Sequence, residues 1–476
     1  MVRILSLILA ILMLVATFVS CEKVDPGSSS DTGEVEINWD GEEYRIFGRS
    51  KGETNMFKNF EVDRETVPED VVGLAVWNRN EAIKAKYGLD VVGYYTDDNT
   101  GSTARLFLEA GEDQYDLLIC TPNSFQAFAN QGYLLDLNEV NYVDLESDCW
   151  NDYANTQLTM GGKLFYTTNK FLLHDKHRTW MVYYNRDLAK ELNIGHLEDE
   201  VFAGNWTMDR LIEIAKLDAA ERDGVDGMSY YDQWGVALSD SYCFAQLAYA
   251  SGFRLSENGN DGYPKLIGAT DQMISILDKV LELTADSNTC FIYTYRPQSD
   301  KVGLDNSIFA TGNAVVLVDV ISSFDDFAIA GIDFDLGAIP NPKFNAEQEN
   351  YYSVPNAQYG SLFAVPATVY DVEKAGFGLQ AISEESVDTS YNAYIEVKCK
   401  LQDSYDEETA RCLDIIFDGV VYDVAQITEL GSITEIIYNT IPRGGANNYA
   451  SQYKKFEKKA NNEIAKIKEA YLNFSN

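Results

Sequence analysis

The order of elements predicts an α/β chain of two lobes, each a mostly parallel sheet flanked by helices, hinged by several crossovers. Three observations carry this. Apolar runs that suit strands alternate with helical patterns on both sides of the stretch Gly161–Leu192. The run Tyr115–Cys120 (YDLLIC) is apolar almost throughout, as a strand buried in a parallel sheet must be. Gly161–Leu192 itself holds a Gly-Gly turn signal and two strand-like runs, Leu164–Tyr166 and Trp180–Tyr184. Asn185 follows as an N-cap and Arg186–Leu192 as a short helix, so the chain crosses between lobes here.

In the first lobe, Tyr44–Gly48 reads as a strand and the polar segment from Arg49 to about Asp70 as a connection. Val76–Tyr87 is a helix, Leu89–Tyr95 a strand, and Ser102–Ala110 a helix capped by Ser102. Tyr115–Cys120 is the third strand, and Phe125 opens the next helix. This β-α-β-α-β order predicts an open parallel sheet. Ligands of such sheets sit beyond the carboxyl ends of the strands, which points to Arg49, Asn123 and Ser124. Trp77 lies on the first helix, either against the sheet or toward the cleft.

The second lobe begins with a helix after Thr207 and a strand from Gln233 to Ala237. Helices follow over Phe244–Ser251 and Gln272–Leu283. FDLGAIPNPKFN is a strand and a Pro-rich loop, and the tail after Asn447 has helical spacing.

The composition is that of a globular protein with ample core: 476 residues, 46% hydrophobic and 24% charged. A formal charge of -38 argues against nucleic-acid binding and against unaided adsorption to anionic lipid. It suits a soluble monomer. Arg3, the apolar run Ile4–Val19 and the small Ser20 before Cys21 read as a secretory signal. The acidic, Gly/Ser-bearing stretch after Cys21 reads as a disordered tether.

Catalytic and metal signatures are weak. The chain lacks G-x-S-x-G, H-E-x-x-H, Walker A and G-x-G-x-x-G patterns. His174 and His177 have H-x-x-H spacing with no third ligand nearby. The acidic loop Asp218–Asp232 misses the spacing of a calcium loop. Seven cysteines form no C-x-x-C pair, so those after Cys21 read as small buried residues. No cofactor and no metal are expected. Aromatic side chains that cover the C–H face of a sugar ring, with polar groups for its hydroxyls, fit Trp77, Trp150, Trp180 and Trp234 as platforms.

Several stretches carry a family resemblance. GGKLFYTTN, an apolar strand and VYYNRDLAKELNI resemble the crossover of extracellular solute-binding proteins of ABC transporters, in the sugar-binding, maltose-binding-protein-like group. The pattern G-x-W-T-x-D-x-L-x-x-x-A-K at residues 204–216 is the most specific match, with Trp206 read as structural. FEVDRETVPEDVVGLAVWNRNEAI and YGSLFAVPATVYDVEKAGFGLQAI are similar to that family as well, and SIFATGNAVVLVDV, residues 307–320, resembles its second crossover, which implies a helix ending at Gly312 and a strand returning to the first lobe with Asp319 at its end facing the cleft. The N-terminus resembles a bacterial lipoprotein signal with Cys21 lipidated, although Phe18 stands where leucine is usual.

The resemblance covers about residues 40–476 and implies a periplasmic-binding-protein-like fold. Its domains are a signal peptide (1–20), a tether (21–40), a first lobe (41–165 and 313–362) and a second lobe (166–312 and 363–476). It implies a lipid-anchored, extracytoplasmic, non-enzymatic protein on the outer face of the cell membrane. Such a protein captures a sugar, an oligosaccharide, by hinge closure and delivers it to ABC permease subunits. The cleft residues are then Arg49, Trp77, Asn123, Ser124, Trp180, Trp234 and Asp319. The alternatives are a surface polysaccharide-active enzyme and a glycan-capturing adhesin lipoprotein.

Overall fold

The computed structural model describes residues 37–49, 59–64, 66–217, 219–224, 226–357, 360–404 and 406–474. Cys21 and the expected signal and tether lie outside them, apart from the last few tether positions. In chain order the strands are β1 Glu42–Arg49, β2 Leu89–Thr96, β3 Leu117–Cys120, β4 Trp180–Asn185, β5 Trp234–Leu238 and β6 Ser256–Asn258. Then come β7 Pro264–Leu266, β8 Cys290–Ile292, β9 Ala314–Val320, β10 Leu336–Ile339 and β11 Leu362–Ala364.

The first sheet has the order β11-β3-β1-β2. β1 runs parallel to β2 and β3, and β11 closes the edge antiparallel, with Leu362 opposite Cys120. The expected helices lie between these strands. Helix Val71–Tyr87 starts where the Asp70 carboxylate accepts the Gly73 N–H at 2.7 Å. It ends at Gly88, whose φ of +62° suits glycine and lets its N–H reach the Lys84 carbonyl. Helix Thr100–Ala110 is capped by Asn99, not by Ser102: the Asn99 side chain accepts the Ser102 N–H at 2.9 Å. Residues 164–166 are buried but form no strand. The Leu164 N–H goes to the Asp136 carboxylate and its carbonyl to the Leu137 N–H, so loop groups use the backbone a ladder would need.

The second sheet has the order β10-β4-β9-β5-β8. β4 is antiparallel to both its neighbours, while β9, β5 and β8 are mutually parallel. This corrects the expected assignment of residues 313–362 to the first lobe. β9, AVVLVDV, is buried along its whole length because it is a central strand, between β4 and β5, and β10 joins β4. Only β11 returns to the first sheet. The assignment of everything after 362 to the second lobe also fails. Helix Val372–Ser386 packs on β1 and on helix Val71–Tyr87, with the Tyr44 hydroxyl donating to the Ala375 carbonyl at 3.2 Å. Helix Glu407–Asp418 packs on β10, in the second half.

Among the described residues the sheets share no hydrogen-bonded ladder, yet one apolar cluster runs from Tyr44 and Leu118 through Phe171 and Trp180 to Val236 and Val318. The halves therefore lean on a common apolar seam along the crossovers. Six free cysteines, Cys120, Cys149, Cys243, Cys290, Cys399 and Cys412, are buried and unpaired.

Candidate functional site

Three parallel strands, β5, β8 and β9, end on the same edge of the second sheet. β4, running the other way, begins there. Everything polar that follows those ends converges. After β5 come Ser239, Asp240, Ser241 and Tyr242. The Asp240 carboxylate accepts from the Ser241 hydroxyl at 3.1 Å and the Tyr242 N–H at 2.8 Å. After β8, Thr294 accepts the Ser241 N–H at 3.2 Å, and the Tyr295 phenol lies beside Ser241 and Arg443 while its ring stays 40% exposed. Tyr242 meets Tyr438 edge-on at 5.2 Å.

At the end of β9, Asp319 is 5% exposed and accepts from Ser239 at 2.9 Å, Ser323 at 2.7 Å and the Val320 N–H at 2.8 Å. Burial raises its pKa against these bonds. Asp305 is pushed up to about 7 by burial and by the Asp319, Asp240 and Asp326 carboxylates. Arg178, just before β4, is the cation that opposes them; it donates to Ser322 at 2.8 Å and lowers Asp305, Asp319 and Asp326. The edge is thus a set of carboxylates around one guanidinium, with tyrosine rings at its margin. Such a set can accept several hydroxyl protons and cover an apolar ring face.

Loop residues Phe60 and Arg64 and helix-start residues Asp70 and Val72 wall a cavity of about 280 Å³. Its other wall is His177, Asp325, Tyr394 and Lys398. The cavity therefore draws on both halves of the chain. His177 is held in place by the Tyr394 hydroxyl at 3.0 Å, and burial holds its pKa well below the usual histidine range. His174 pairs with the Ser361 hydroxyl at 2.9 Å. The H-x-x-H spacing thus serves two separate structural bonds. In the acidic loop, the buried Asp232 carboxylate accepts N–H groups of Arg222, Asp223 and Ser229 at 2.6–3.1 Å, using the oxygens a calcium ion would need. His196, Glu198 and Glu408 bring ligand-type atoms within 4.8 Å of one another, but Glu198 is already committed to Arg186 and Tyr184.

The expected site residues divide. Asp319 and Trp180 lie at the same edge, where Trp180 pairs with Val320 in the ladder. Trp180 is only 2% exposed, its indole within the shared apolar seam. Trp234 is a correction. It opens β5, at the opposite end from Ser239, is 0% exposed, donates its indole N–H to the Ser229 carbonyl at 2.9 Å, and carries Arg296 over its ring at 5.2 Å. It is a core residue.

Trp150 is likewise buried, bonded to Gln380 at 3.1 Å. Trp206 is fully buried and donates to the Pro340 carbonyl at 2.8 Å, as its structural assignment required. Arg49, at the end of β1, is half-buried and its N–H is held by Asn59 at 2.8 Å. Asn123 is exposed and Ser124 half-buried, the latter 3.1 Å from the Thr121 hydroxyl, at the carboxyl end of β3. Trp77 is half-buried on its helix. Asp240, Tyr242, Tyr295, Asp305 and Arg178 were missed. The rule that finds Asn123 after β3 would have found Asp240 after β5.

Residues 79–274 match the model of the bacterial extracellular solute-binding protein family. No curated protein sequence matches the chain. Among solved structures, the ABC substrate-binding protein Lmo0181 from Listeria monocytogenes in complex with cycloalternan is 15% identical. It has a TM-score of 0.56 and covers 90% of this chain and 100% of its own. The apo form of RafE from Streptococcus pneumoniae is 13% identical with a TM-score of 0.56, covering 89% and 98%. The maltose/maltodextrin-binding domain MalE from Bdellovibrio bacteriovorus bound to maltotriose is 15% identical with a TM-score of 0.54, covering 89% and 100%. The fold is thus the two-lobe α/β fold of solute-binding proteins. The matched family and these neighbours are binding proteins, not enzymes.

Proposed function

We propose that this chain is the lipid-anchored substrate-binding component of an ABC importer, and that it captures a carbohydrate, an oligosaccharide, between its two sheets. The observation that carries this is the polar edge of the second sheet. Buried and half-buried carboxylates, Asp240, Asp305 and Asp319, gather around Arg178, with Tyr242 and Tyr295 beside them. Carboxylates withdrawn from water destabilise a fold unless donors meet them. A sugar supplies hydroxyl donors for the acids and C–H faces for the rings. The family match and the sugar ligands named for the neighbours support the same class.

In this proposal the first lobe closes on the ligand. A sugar touching both sheets binds the closed form more tightly and shifts the population toward it. The closed monomer then docks on permease subunits at the outer face of the membrane, tethered through an acylated Cys21. A thermal-shift screen over mono- and oligosaccharides tests the ligand class, because a ligand of the native state raises the melting temperature. Small-angle scattering with the best hit should show compaction. A flat screen, or release of cleaved product from a labelled glycan, would count against the assignment. Failure of labelled palmitate to enter wild-type cells' protein, or its retention in Cys21→Ala, would refute the anchor alone.

A further inference from the structure

A second cavity, of about 600 Å³, shares no lining residue with the first. Tyr153, Tyr351 and Tyr352 wall it, and Glu349, Asn350 and Asp418 stand at its rim. Tyr153 belongs to helix Asp152–Leu158, before the first crossover. Residues 349–352 belong to the return segment between β10 and β11, and Asp418 ends the helix that packs on β10.

The walls are fixed. The Ser353 N–H donates to the Gly419 carbonyl at 2.9 Å and the Val421 N–H to the Ser353 carbonyl at 2.8 Å. A side chain at Gly419 would put its Cβ 2.4 Å from the Tyr351 carbonyl, so the close approach requires glycine. The Tyr351 hydroxyl donates to the Val201 carbonyl at 3.1 Å. Tyr153 remains 46% exposed.

Tyrosine walls with carboxylates at the rim suit either a sugar or an organic cation. Arg254 decides between them: it already sits over the Tyr352 ring at 4.8 Å, so the protein supplies the cation for that face. What remains is the half-exposed ring of Tyr153 and an edge of two carboxylates and one amide, which accept from and donate to hydroxyls. The volume falls in the range of small-molecule sites, roughly 300–1,000 Å³.

We propose that this cavity is a second saccharide site, with a sugar ring on Tyr153 and its hydroxyls on Glu349, Asn350 and Asp418. The proposal rests on the carbohydrate assignment of the chain but concerns a separate place. Its walls come from segments on both sides of the crossovers. Occupancy there is therefore linked to the cleft, each site changing the affinity of the other by the same factor.

Calorimetric titration of maltotriose, raffinose, glucose and galactose into the whole chain tests it. Wild type should bind one of these sugars at two sites. Tyr153→Ala, an exposed position that leaves the fold intact, should weaken one site at least tenfold and spare the other. Asp418→Asn should repeat that loss, and Tyr295→Ala should weaken the other site. A stoichiometry of one that Tyr153→Ala leaves unchanged and Tyr295→Ala abolishes would overturn the second site and keep the cleft. Heat from choline that Tyr153→Ala removes, with no second sugar, would overturn it in favour of an organic cation. No heat from any sugar would overturn both assignments.

Discussion

The carboxyl edges of the two sheets differ in kind. The first presents Arg49, Thr121, Asn123 and Ser124, one cation and small neutral groups that face solvent or one another. The second gathers Asp240, Asp305, Asp319 and Asp326 around Arg178 with much of the set withdrawn from water. In a chain of net charge -38, exposed carboxylates are the ordinary surface. Buried ones carry a desolvation cost that the fold must offset. Under the proposed function, this difference makes the second sheet the one that sets what the cleft recognises and the first the one that supplies closure.

Arg178→Ala should break this asymmetry most severely. It removes the bond to Ser322 and the positive charge that lowers Asp305, Asp319 and Asp326, which should cost about 1–3 kcal/mol in a denaturant titration. An unchanged midpoint would show that the carboxylates are not held by that cation. Tyr295→Ala should weaken sugar binding by about 1–3 kcal/mol, judged from truncation of contact aromatics, with little change in melting temperature.

The acid cluster should also set the pH response. Asp305 is raised from 3.8 and Glu61 from 4.5, both to about 7 and both chiefly by burial. The folded chain therefore holds protons that the unfolded chain has lost, and stability falls as pH rises from about 4 to about 7. The melting temperature should drop over that window, and Asp305→Asn should reduce that drop by about 1 °C for each kcal/mol involved. An equal slope in the variant would assign the fall to general charge repulsion instead. Asn123→Ala, on the neutral edge, should change affinity by less than about 1 kcal/mol. A larger loss would erase the contrast between the sheets.

The first half was legible because its contacts are local. Among the described residues β1, β2 and β3 follow one another with a helix between each pair, although the first helix begins at Val71, behind the Asp70 cap, rather than at Val76. The second sheet was not, because β9 enters between β4 and β5, and no local pattern states which neighbour a buried apolar strand selects. Aromatic chemistry alone misplaced Trp234, since a tryptophan at a strand's amino end looks the same in sequence as one at its carboxyl end. The resemblance placed Asp319 near the end of its strand, but nothing in the sequence pointed to its serine partners. Asp240 needed only the strand-end rule applied after β5, but Asp305 was hidden by abundance: one acid among 75 has no distinguishing spacing.

The late return of β11 has a consequence for biogenesis. The first sheet stays one strand short until Leu362–Ala364 has been synthesised and found Cys120 across about half of the chain. Pairings of such separation are slow to form, because the intervening loop must close first. A polypeptide whose opening half cannot finish early stays pliable for longer, a condition under which it can be threaded through an export pore before it sets.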